Sequence, residues 1–279
     1  MTRDVPAPRF VVGDDPASGR AVARGPAARH GEDPRLLPAA VAVLVAANVL
    51  NNRVARRLAP VTSALAAGTL VGLARRSGLS WSEMGFGGGS RGVKIGGALA
   101  VAVAAVYSCG VLLPSTRRFF RDERALGLSR ARLAEEALVQ VPLGTVLLEE
   151  VAFRGVLPAV LRRSYGAGVA VAGSSALFGL WHVLPSLDMA AANPALGGLA
   201  DAGSPASGRA RVVVGSVVST GLAGVFFHEL RRRGGLPAPS LFHLATNSLG
   251  FLAARAARRL DRRGGRGAQP VGTTWKASA

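Results

Sequence analysis

A single cysteine, Cys109, is the only thiol in 279 residues, so no internal disulfide can form. It lies in an apolar run and reads as a packing residue. Aromatic residues make up only 5 % of the chain, and no aromatic-interleaved basic groove or nucleic-acid motif is present. Nucleic-acid binding is therefore not expected, despite a net charge of +18. The zincin pattern H-E-x-x-H is missing, because His228 and Glu229 are followed by Arg232 where the second histidine would stand. The glycine run GFGGGSRG, residues 85–92, has neither a lysine nor a preceding strand, so it is not a phosphate loop. No internal repeat is present. Residues 1–34 hold no apolar h-region, and no secretory signal is expected there.

What the chain does have is apolar blocks. Leu36–Leu50, Leu58–Ala74, Ile95–Pro114, Ala137–Leu148 continuing to Leu161, Ala167–Leu184, Val212–Leu230 and Leu236–Ala254 are mostly Ala, Val, Leu, Ile, Phe, Gly, Ser and Thr. Several reach the roughly 20 residues that a helix needs to cross a hydrocarbon core of about 30 Å. Mean hydropathy is positive, +0.31. The expected fold is all-α, a polytopic membrane helix bundle of about seven transmembrane helices. The charged stretch RFFRDERALGLSRARLAEEALVQ, residues 118–140, is expected as an amphipathic helix along the membrane surface. Three regions follow from composition: a disordered tail at 1–34, a transmembrane domain at 35–254 and a basic tail at 255–279.

The 34 basic residues outnumber the 16 acidic ones and gather between the apolar blocks, as in NNRVARR, LARRSG, LRRSYG and ELRRRGG. Such clusters attract anionic lipid headgroups by about 1 kcal/mol per cation near the surface. Anionic lipid is thus an expected partner. The loop 185–208 is poor in Lys and Arg, but nearly every other loop is basic, so the charges do not fix an orientation. A composition rich in Ala, Arg and Gly suggests a GC-rich genome and hence a bacterial plasma membrane.

Against this background the segment LLEEVAFRG, Leu147–Gly155, is anomalous. Ionisable groups at mid-span cost roughly 2.5–3.5 kcal/mol each on insertion scales and so mark functional sites. Glu150 and Arg154 are four apart, share a helix face and can pair. Glu149 is turned about 100° from Glu150 and is left as the candidate reactive carboxylate. Glu135 and Glu136 form a similar doublet, but beside Arg130 and Arg132 they read as a wet helix face. Downstream, FGLWH puts Phe178 and His182 one turn apart, and HLATN does the same for His243 and Asn247. Intramembrane polar groups converge on the bundle interior or on a cavity, so these are expected to meet.

The three motifs, in this order, resemble those of the CAAX prenyl protease 2/bacteriocin-processing (CPBP) family of intramembrane proteases. EEVAFRG matches the family's E-E-x-x-x-R, FGLWH its F-x-x-x-H and HLATN its H-x-x-x-N. The resemblance covers about Ala137 to Ala254. It implies an intramembrane endopeptidase acting on a membrane-associated or lipid-modified peptide, with catalytic Glu149, Glu150, Arg154, His182, His243 and Asn247. By the same resemblance Glu149 is the base that activates water and His182 helps to hold that water. His243 and Asn247 stabilise the oxyanion, and Glu150 and Arg154 support the site. A divalent metal such as zinc, if bound, would use Glu149, His182 and His243. Two other readings use the same residues, a non-catalytic scaffold or immunity-type protein and a proton-coupled transporter. The chain shows no paired broken helices in repeated halves, which argues against transport.

Overall fold

The structure is a computed structural model that describes residues 34–120, 122–192 and 205–267. Nearly all of the expected N-terminal tail, half of the arginine-poor loop and the last twelve residues lie outside the described residues. Every element that is described is helical or a turn. Five helices are long and apolar enough to cross a membrane: Leu36–Val54, Arg56–Arg76, Gly89–Leu112, Arg130–Ala190 and Gly208–Gly234. The fourth is a 61-residue run broken at Gly166, where φ is 84° and ψ is 175°. A residue with a side chain rarely adopts that backbone, whereas glycine does so freely. The run thus becomes two arms, one before and one after Gly166. The last helix, Pro237–Gly267, is apolar to Ala254 and cationic beyond it.

The outward faces of these helices are greasy. Leu65, Val101, Val106, Leu138, Val214 and Leu222 are all exposed. In water such a surface would aggregate; facing acyl chains it is the expected exterior. Cys109 also lies exposed on the third helix, so it is not the packing residue that its apolar neighbours suggest. In a membrane bundle an apolar neighbourhood marks the outside as readily as the core, because lipid is as apolar as leucine.

Prolines and glycines set the boundaries. Pro60 occupies the first turn of the helix Ala59–Arg76, where its missing N–H leaves no bond unmade. Leu113, extended at ψ 121° before Pro114, ends the helix Gly89–Leu112. The stretch 118–140, expected as one surface helix, has its last residues inside the helix Glu136–Val146 and is otherwise divided into Arg118–Phe120, Glu123–Leu126 and Arg130–Glu135. Ser129 starts the last of them by accepting a hydrogen bond from the Arg132 backbone N–H, a local cap that begins a new helix instead of continuing an old one. The helix Pro237–Gly267 runs thirteen residues past Ala254, into what composition reads as tail. Arg258 there donates to the Leu126 carbonyl at 2.7 Å, and Arg117 pairs with Asp261 at 3.4 Å.

Packing is close where glycines meet. A methyl group on Gly92 would stand 2.0 Å from the Gly234 carbonyl oxygen, so only glycine lets the third helix touch the turn before the last one. The last helix packs along the third, and Pro205–Gly234 packs against Leu157–Trp181.

The centre of the bundle is the segment 148–161, buried at every position. A helix buried all round has no wet side. Its glutamates and arginine therefore face other helices and not lipid. Two stretches flanking Leu147–Glu150, Glu136–Val146 and Val151–Val156, are π-helical. Pro142 sits inside the first, where it removes one donor from the helical ladder. Wide π turns of this kind recur at functional sites.

Candidate active site

Glu149, Glu150 and Arg154 are 4 %, 2 % and 1 % exposed, and His243 is 5 % exposed. These four meet. His243 Nδ1 lies 2.8 Å from Glu150 Oε1, and His243 Nε2 lies 3.7 Å from Glu149 Oε2. A carboxylate can only accept, so the bond to Glu150 places a proton on Nδ1 and fixes the ring's orientation. The imidazole thus stands between two acids contributed by the central helix.

The pairing of Glu150 differs in one respect from the helical spacing. Arg154 Nη1 is 3.7 Å from Glu150 Oε1, farther than the histidine. The reason is local. Residues 151–156 bond i to i+5, so four positions fall short of a full turn and the arginine is carried round from its acid. Its guanidinium makes no hydrogen bond among the described residues. Instead Arg154 Cζ lies 3.8 Å from the centre of the Phe178 ring and 4.5 Å from that of Phe227. Cation–π attraction of this kind is worth about 2 kcal/mol or more when desolvated. A planar cation held between two rings, beside two carboxylates, keeps the buried charges partly compensated.

Glu149 is not left alone either. The indole Nε1 of Trp181 donates to Glu149 Oε1 at 2.9 Å, while Oε2 has no hydrogen-bond partner among the described residues. One oxygen is anchored and the other stays available. Trp181 is in turn held from the first helix, where Asn48 Nδ2 donates to the Trp181 carbonyl at 2.9 Å. The Phe153 ring packs against both Phe178 and Trp181, at 5.2 and 5.6 Å between centroids.

His182 follows Trp181 at the end of its helix. Its Nδ1 is 2.8 Å from the Phe178 carbonyl oxygen, which can only accept. The Nδ1 proton is thereby committed, and in the neutral ring Nε2 keeps a lone pair for another donor. No hydrogen bond joins His182 to either glutamate among the described residues. Asn247, half-buried, lies one turn beyond His243 on the last helix and is likewise not bonded to the acids. The expected six thus divide into a buried cluster of four and two residues beside it.

Trp181 and Phe227 carry weight that motif spacing did not assign to them, and Phe178 was noted only for its position. One signal was available: a buried indole N–H requires an acceptor, and the sequence sets Trp181 beside a motif histidine. The glutamate doublet at 135–136, by contrast, pairs with Arg132, with Glu136 Oε1 at 2.9 Å from its guanidinium. Glu229 pairs with Arg232 and Arg233, each at 2.6 Å.

The zinc set fares poorly. Among the described residues no three His, Cys, Asp or Glu side chains are arranged to hold a metal ion. Of the two histidines only His243 approaches Glu149, at 3.7 Å, and among the described residues Glu149, His182 and His243 form no group that could hold a metal ion.

Residues 136–249 match a family model described as type II CAAX prenyl endopeptidase Rce1-like. The match spans all three motifs and supports membership of the CPBP family. No curated protein and no solved structure matches the chain.

Proposed function

We propose, from membership of the CPBP family of CAAX-type intramembrane proteases, that this membrane protein hydrolyses a peptide bond in a membrane-associated or lipid-modified peptide. One observation carries the reading. Glu149 Oε2 and His243 Nε2 face each other at 3.7 Å inside the bundle, with no other hydrogen-bond partner on that oxygen. A base with one oxygen tethered and one free can accept a proton without swinging out of place.

The reaction then runs as follows. Glu149 Oε2 takes a proton from a water whose oxygen attacks the amide carbonyl carbon. The lone pair on His182 Nε2 helps orient that water. Negative charge on the carbonyl oxygen is met by His243 and by the Asn247 amide. Donors of this sort are worth about 2.7–4 kcal/mol in other enzymes. The C–N bond breaks, and the leaving amine takes the proton held by Glu149. Glu150 holds the His243 ring, and Arg154 offsets the charge of the two acids. The donor set does not fit a metal, and no step passes through one.

The natural peptide and the bacterial plasma membrane rest on the chain's composition and family alone. The test is cleavage of a membrane-inserted peptide library by the detergent-solubilised protein. Glu149→Gln keeps the Trp181 bond and removes the base, so turnover falls at least about a hundredfold while the apparent Tm stays unchanged. Full turnover in that variant would end the hydrolytic reading, and full biological complementation by an inactive Glu149→Gln variant would favour a scaffold.

A further inference from the structure

Away from the acids, a cavity of about 30 Å³ opens where two long helices end against the turn at 77–88. Arg162, His228, Arg231, Glu83 and Pro158 line it. That volume holds about two waters, or the two non-bridging oxygens of a phosphodiester. Glu83 is the sole acid in the lining, and its carboxylate is fully engaged elsewhere. Arg163 Nε and Nη2 each approach it at 2.9 Å, and the Ser80 N–H and hydroxyl donate to it at 2.7 Å. The charge of Arg162 and Arg231 is therefore not met from within the cavity.

Two buried nitrogens there are unpaired, and the Arg231 one is a donor in every protonation state. His228 Nδ1 and Arg231 Nε have no hydrogen-bond partner among the described residues. Arg231 is also held in place, since its Nη2 donates to the Glu83 carbonyl oxygen and its side chain packs over Gly85. A buried donor left unmade costs about 1–3 kcal/mol, which an arriving oxyanion would offset. An anion fits this site; a cation or a neutral apolar group does not.

The surroundings say where the anion comes from. Trp81 and Phe86 are exposed beside the cavity, edge to face at 5.2 Å, and the Arg75 guanidinium lies 5.1 Å from the Trp81 ring. Exposed Tyr165 follows Arg162 and Arg163 at the break between the two arms. Exposed Trp and Tyr among arginines at helix ends mark the headgroup layer of a membrane. We infer that this cavity is a binding site for the phosphate of an anionic phospholipid headgroup. It is distinct from the acid cluster and does not depend on the hydrolytic assignment.

The experiment is native mass spectrometry of the detergent-solubilised full chain titrated with phosphatidylglycerol, with phosphatidylcholine and inorganic phosphate as separate arms. The wild type should retain phosphatidylglycerol more strongly than phosphatidylcholine, which carries the same phosphate but a trimethylammonium that cancels its net charge beside the arginines. Arg162→Gln and His228→Leu should each weaken retention, the former by about fivefold, the factor that about 1 kcal/mol per interfacial cation gives. Arg76→Gln, a change on the same cationic rim but outside the cavity lining, should leave retention unaltered. Arg162 is surface-exposed, so its variant is expected to fold even if an Arg231 variant does not. Equal retention of both lipids, or an Arg76→Gln loss as large as that of Arg162→Gln, overturns the built site. Displacement of the lipid by an equal concentration of inorganic phosphate overturns the headgroup as its source.

Discussion

Trp181 donates its indole N–H to Glu149 Oε1 across 2.9 Å, joining two helical arms at residues thirty-two apart in sequence. A hydrogen bond to an ionised group contributes about 1.5–3 kcal/mol, and here it engages Oε1 while Oε2 has no hydrogen-bond partner among the described residues.

Trp181→Phe keeps an aromatic ring against Phe153 and removes only that donor. kcat is expected to fall between about tenfold and a hundredfold with little change in KM, because Glu149 would lose its fixed orientation and not its substrate contacts. Steady-state cleavage kinetics on a membrane-inserted peptide decide it. Wild-type kcat in this variant would mean that the indole only fills space.

Arg154 is held by two ring faces in place of hydrogen bonds, and this predicts an asymmetry between substitutions. Arg154→Met leaves Glu149 and Glu150 buried without their cation, a change that costs about 3–5 kcal/mol in comparable buried pairs. The apparent Tm in detergent should drop by several degrees. Arg154→Lys should recover little of it, since an ammonium cannot lie as a plane between Phe178 and Phe227. Complete rescue by lysine would show that charge alone suffices.

Outside the membrane-spanning helices, Glu83 gives a pH signature. The Arg163 guanidinium, with help from Ser80, pulls its carboxyl down from 4.5 to about 2. A folded-state pKa below the unfolded one stabilises the protein at every pH above about 4.5 and loses that effect as pH falls toward 2. The pair is over a third exposed, so the contribution is modest, at most about 1 kcal/mol. Glu83→Gln should therefore lower the apparent Tm by a few degrees at pH 6, with the difference from wild type closing between pH 4.5 and pH 2. A difference that stays constant over that window would assign the loss to shape and not to charge.

Much of this architecture could be read from the chain. The apolar blocks gave a helical membrane bundle because helices are the only open segments that satisfy their own backbone in lipid. The break before Ala167 coincided with a composition change. The π turns at Glu136–Val146 and Val151–Val156 were not legible, since they leave no periodic signal in the sequence; only Pro142, inside the first, marks a missing helical donor. The same turns explain why i, i+4 spacing suggested Arg154 as the close partner of Glu150, when His243 sits nearer. Past Ala254 the last helix looked like solvated tail because its arginines outnumber its apolar residues, yet Ala257 is fully buried against the third helix. A long cationic side chain can reach out while the backbone it belongs to packs inward.

The bond from Asn48 to the Trp181 carbonyl has a consequence for how this protein can be dissected. Asn48 lies far upstream of residues 136–249, the portion that carries every recognisable motif. The buried acid cluster is accordingly not a portable cassette. Excising residues 136–249, or grafting them onto a foreign pair of leading helices, would free the tryptophan that holds the Glu149 carboxylate.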